Sequence, residues 1–193
     1  MKRLVPLLAS AAMLAAPMSV VSMSGATAQP SADPAFDAFQ KICWSTNGDY
    51  LATLKTADAD GWTEAQVVAE PAGPVSVTDK AARAKVIGSS NLTLLVSRGL
   101  QHTKGGDFKV DTCKLAINKP DAALIGEGKS WLGGAPDSGD PTLAVYYVKL
   151  APGTPAHIGQ SGLNDAMAAG GFVVLKFQQD ADSGIMVYQA YSK

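Results

Sequence analysis

The sequence predicts an α+β fold, with N-terminal helices packed on an antiparallel sheet of about five strands and one disulfide. Three observations carry that expectation. Apolar residues between Asp33 and Gly61 recur at helical spacing, whereas from Leu92 onward they fall into short runs separated by Gly, Pro and Asp turns. The only two cysteines, Cys43 and Cys113, lie one in each of these regions.

The chain opens with Met1-Lys2-Arg3, an apolar run from Leu4 to Met23, and Ala26-Thr27-Ala28 before Gln29-Pro30. A basic start, an apolar middle and a small-x-small site are the layout of a secretory signal peptide, here residues 1–28. Pro6 and Pro17 interrupt the run, so removal is expected rather than retention as a membrane anchor. Residue 29 is glutamine, which offers no thiol for lipid attachment, and Lys2-Arg3 is not a twin-arginine pair. Residues 29–193 then form a single α+β domain in the periplasm or outside the cell, with no stable membrane anchor.

Removing Lys2 and Arg3 without any acid shifts the formal charge from −1 to −3. A mildly acidic chain without a Lys/Arg cluster is a poor partner for phosphate backbones, so nucleic acid is excluded. In an oxidising compartment Cys43 and Cys113 read as a disulfide. No C-x-x-C redox motif is present, and two cysteines with two scattered histidines lack zinc-ligand spacing. No cofactor or metal is expected.

Along the chain, Asp33 caps a helix with Pro34 in its first turn, and Phe36, Phe39, Ile42 and Cys43 make its apolar face. Ser45-Thr46-Asn47-Gly48 breaks it. Asp49 begins a second helix in which Tyr50, Leu51, Leu54 and Ala57 continue the period, and Gly61 stops it with Trp62 folding back. Thr63-Glu64-Ala65-Gln66 has capping-box form, so a short helix is expected over about 64–69. The stretch Glu70-Pro71-Ala72-Gly73-Pro74 must be a connector.

Leu92 to Ser97 is strand-like, and Lys104-Gly105-Gly106-Asp107 marks a hairpin. On the return strand Phe108 and Val110 share one parity, and Cys113, Leu115 and Ile117 share the other. A bulge or bend near Asp111-Thr112 would place both sets inward and aim Cys113 at the first helix. A helix follows from Asn118-Lys119-Pro120-Asp121 to Gly133, then the turn-rich loop 133–141, a strand over Leu143–Leu150, and a break at Ala151-Pro152-Gly153-Thr154-Pro155. A helix over Ser161–Ala169 precedes a terminal hairpin of Phe172–Phe177 and Ile185–Tyr191 around Asp180.

No motif specifies a chemistry. Asp58-Ala59-Asp60-Gly61 has Thr56 and Val67 where a calcium loop needs acids, and Gly159-Gln160-Ser161-Gly162 is not a nucleophile elbow. No dinucleotide or phosphate loop occurs. The remaining candidates are Trp131 beside loop 133–141, with Asp137, Asp140, Tyr146 and Tyr147, as an aromatic wall and binding region for a small ligand or an envelope protein. A signal peptide with an early helical cysteine and a later strand cysteine resembles small exported proteins of Gram-negative bacteria, a likeness that assigns no site residue. The expected function is therefore an exported soluble binding or accessory protein of the bacterial envelope. Two alternatives stand beside it. One is a small periplasmic hydrolase using His102 or His157 with Asp107, Asp111 or Asp165. The other is an envelope assembly or stress factor with a flat apolar patch.

Overall fold

The computed structural model describes residues 33–68, 73–103, 106–120, 123–150 and 153–193. The signal peptide and its cleavage site, residues 70–72 of the connector and the Lys104-Gly105 turn lie outside the described residues.

Helix α1 (Pro34–Phe39) starts where Asp33 accepts the Ala35 amide at 2.7 Å. It runs into a wider π-helical turn (Gln40–Trp44), closed by the Ser45 amide on the Gln40 carbonyl. Asn47 and Gly48 then adopt positive φ and reverse the chain. Helix α2 (Tyr50–Ala59) is capped by Asp49, which accepts the Ala52 amide. Gly61 stops it at φ +79°, and the Trp62 amide donates to Ala57, which turns the buried indole back on the last turn. The buried positions of α2 are Thr53 and Ala57, whereas Leu51 is 66% exposed and does not belong to its inner face.

The strands are β1 (Thr63–Ala65), β2 (Ser76–Ile87), β3 (Ser90–Thr103), β4 (Gly106–Asn118), β5 (Ser138–Asp140), β6 (Leu143–Lys149), β7 (Gly171–Gln179) and β8 (Ser183–Ser192). Helix α3 (Leu124–Leu132) separates β4 from β5, and α4 (Gly159–Ala169) separates β6 from β7. All pairings are antiparallel, in one sheet ordered β1-β2-β3-β4-β8-β7-β6-β5. The α+β class and the disulfide match the sequence. The strand number is eight rather than about five; helices α3 and α4 fall between strands near their expected positions, α3 starting at Leu124 because Asn118 still belongs to β4.

Three local expectations are overturned. Residues 63–65 form β1 on the edge of β2, not the start of a helix, because the Trp62 reversal lays the chain along that edge, where the Thr63 hydroxyl donates to Ala84. The strand Ser76–Ile87 carries little apolar signal, since it is a polar strand next to the sheet edge, templated by β3 and covered only by the three-residue β1. The expected bulge at Asp111-Thr112 is absent: β4 keeps unbroken register with both β3 and β8. The register shift falls between Val77 and Asp79, opposite Gly99, where a Cβ would stand 2.4 Å from the Ser76 carbonyl oxygen.

The two parities of β4 serve two apolar faces. Cys113, Leu115 and Ile117 join a core under α1, α2 and α3, with Phe36, Phe39, Leu94, Leu175, Phe177 and Tyr188. Phe108 and Val110 join a smaller cluster on the opposite face with Phe172 and Val174, against which Leu163, Ala166 and Met167 of α4 pack. Strand β7 is apolar on both parities because both of its faces are covered. Cys43 is disulfide-bonded to Cys113, joining the π-helical turn to β4 on the larger core's face. Among the described residues no helix is long and apolar enough to cross a membrane.

Candidate functional site

The three aromatic residues expected to form a wall, Trp131, Tyr146 and Tyr147, do not share one face. Trp131 packs edge-on against Trp44 at 5.0 Å and against Phe36 at 5.7 Å, within the larger core. Tyr146 is fully buried on that same face, 6.0 Å from Phe177. Tyr147, one residue on, necessarily points to the other face. Asp140 accepts the amide and hydroxyl of Thr142 and shapes the turn between β5 and β6.

Asp137 has a more demanding position. Its amide donates to Val145, and its Oδ2 accepts the Tyr147 amide at 2.8 Å and lies 2.8 Å from His157 Nε2. The carboxylate therefore fills a gap in the β6 edge ladder, between β5 and residues 156–158, whose Ala156 carbonyl and Ile158 amide pair with Lys149 and Tyr147. With 7% of its side chain exposed, Asp137 is nearly dry. The Tyr146 hydroxyl is buried without a hydrogen-bond partner among the described residues, and burial and then the Asp137 charge push its pKa up.

His102 and Asp107 also meet, Nδ1 to Oδ1 at 2.7 Å, but both side chains are about two-thirds exposed and stand on a hairpin tip. Asp111 instead faces Arg98 and Lys109, and burial pushes its carboxyl up. Each histidine thus has an acid. Neither has a serine, threonine or cysteine hydrogen-bonded to its ring among the described residues, which leaves a general base without a nucleophile to activate. No group of three metal-ligating side chains occurs among the described residues.

The opening suited to a ligand lies elsewhere. A groove of about 430 Å³ runs between α4 and the smaller apolar face. Its floor is Phe108, Phe172, Val174 and Val145, and Leu163 and Met167 of α4 form its roof. The polar groups along it are Gln101 at one end, Tyr191, Tyr147 and Gln189 in the middle, and Ser138 with Lys176 at the other. Burial, then the neighbouring Tyr147, raises the Tyr191 phenol pKa. Gln101 Oε1 is buried without a protein partner among the described residues. None of the α4 residues is buried, so the helix rests on the groove without filling it.

No protein-family model, curated protein or solved structure matches the chain. The reading of the site rests on its geometry.

Of the candidate residues named from the sequence, Tyr147 lines this groove, though the sequence suggested it for a wall beside loop 133–141. The available signal was the apolar even-numbered positions of β4 and β7, which mark a second covered face.

Proposed function

We propose that this chain is an exported binding protein of the bacterial envelope whose site is the groove beneath α4. In this reading residues 1–28 are a signal peptide, residues 29–193 are one domain, and the mature protein works in the periplasm or outside the cell. The observation that carries it is a helix seated over apolar strand residues with its own Leu163, Ala166 and Met167 only partly buried, above 430 Å³ of open space. That volume lies in the range of small-molecule sites, and an apolar lining with a few polar groups is their usual composition. The disulfide supports an oxidising compartment.

Asp137 acts here as a positioning residue. Through the Tyr147 amide and His157 it holds the β6 edge and the segment leading into α4, the two sides of one end of the groove. Trp131 and Tyr146 serve packing, and Asp140 the β5–β6 turn. The test is fluorescence of the neutral apolar probe N-phenyl-1-naphthylamine. Wild-type protein brightens the probe, and both Val174→Trp, which fills the floor, and Met167→Asp, which places a charge in the roof, abolish the effect. Met167 is only partly buried, so its variant keeps the fold if the first one does not. Equal brightening by a folded Met167→Asp protein sinks the reading.

A further inference from the structure

We infer that the groove takes a single unbranched alkyl chain ending in a carboxylate, with the carboxylate at Lys176. The inference rests on the groove being the binding site and adds the class of ligand.

The shape of the opening comes first. It begins at Gln101 on β3 and ends at Ser138 on β5, so it crosses β3, β4, β8, β7, β6 and β5. Neighbouring strands are spaced by about 4.8 Å, which makes the path on the order of 24 Å long. A volume of about 430 Å³ drawn out over that path is an elongated groove. It is too small for the paired chains of a phospholipid.

Charge fixes the end group. Registers place Lys114, Lys149 and Lys176 on the groove face of β4, β6 and β7. Lys193, just past β8, holds its ammonium 5.8 Å above the Phe108 ring on that face. The described acids of the long strands, Asp79, Asp107 and Asp111, all fall on the opposite face with Arg98 and Lys109. A chain of net charge −1 thus presents a positive face beneath α4. Lys176 is the cation within the lining, flanked in register by Val145 and Val187, and it forms no ion pair among the described residues. An elongated groove with an apolar floor and one cation in its lining, set between two valines, complements a chain with one anionic end.

The experiment displaces bound N-phenyl-1-naphthylamine from the full mature protein with palmitate or with its neutral analogue hexadecanol. Palmitate is expected to displace the probe more effectively than the alcohol. Lys176→Met should weaken palmitate about tenfold, the loss of one charge-assisted contact, and leave the alcohol unchanged. Lys129→Met, on α3 across the sheet, is the control and should change neither. Failure of palmitate to compete, or equal competition in Lys176→Met, overturns the ligand class while probe binding keeps the groove as a site. Absence of probe binding in the wild type defeats the groove itself. Co-sedimentation with phosphatidylglycerol vesicles that excess palmitate does not reverse would assign the positive face to a bilayer and overturn the inference.

Discussion

His157 Nε2 and the Tyr147 amide converge on the same oxygen of Asp137, each at 2.8 Å. A side chain from a turn thereby replaces a backbone partner in the edge of a sheet and anchors the approach to α4. Removing it leaves a buried amide without an acceptor. Asp137→Ala should cost about 2–3 kcal/mol, the value of hydrogen bonds to a charged group together with the orphaned donor. Asp137→Asn, which keeps an acceptor, should cost less. Urea midpoints at constant slope measure both, and an unchanged midpoint for Asp137→Ala would refute the anchoring role.

Reduction of the Cys43–Cys113 bridge frees a loop spanning 70 residues. Chain-entropy reasoning gives roughly 4 kcal/mol for such a cross-link. The double variant Cys43→Ser, Cys113→Ser should lose stability of that order, and non-reducing mass spectrometry of the wild type should recover the two cysteine peptides joined. Free thiols at both positions would remove the bridge from the account.

Asp60 sits between Lys41, Lys85 and the Trp62 indole, 25 residues in sequence from Lys85. The hydrogen bond from Lys41, then those from Lys85 and Trp62, hold its carboxyl down at about 2 against the opposing effect of burial. A depressed folded value means the carboxylate stabilises the fold above its unfolded value, near 3.8, and loses that contribution as the pH falls toward about 2. Asp60→Asn should therefore be less stable than wild type at neutral pH, with the gap closing between about pH 4 and pH 2. A gap constant across that window contradicts the assignment. Thermal melts at stepped pH decide it.

Gly128 on α3 lies so close to the Phe177 ring that a Cβ would stand 2.6 Å from its Cδ2. Alanine is the better helix former, yet here overpacking opposes it. Gly128→Ala should destabilise by about 1–3 kcal/mol despite the propensity gain. A raised melting temperature would show that the helix can slide away from the sheet.

Much of the larger core was legible because local signals agreed there. Asp33 and Asp49 cap their helices, Gly61 and Trp62 close α2, and Phe36, Phe39, Ile42 and Cys43 are buried together. The second face was not legible, because the sheet was read as having one covered side. On that premise Phe108 and Cys113 conflict and require a bulge, whereas two covered faces satisfy both with regular register. Strand β2 escaped for a different reason: Arg83 and Lys85 pair with Asp58 and Asp60 instead of packing an apolar face, and its pairing is determined by β3. The candidate site followed the same division. Asp137 and Tyr147 were visible as polar and aromatic residues near a loop, but a carboxylate standing in for a strand partner has no sequence signature.

Strand β8, the last in chain order, lies in the middle of the sheet between β4 and β7. Until it is made, β1–β4 and β5–β7 have no shared strand, and each half presents a bare edge to the other. A chain threaded N-terminus first through a membrane pore would therefore remain in two unjoined pieces until β8 emerged. In the proposed export, a central strand that is last in chain order would keep the two halves of the sheet apart while the chain is in transit.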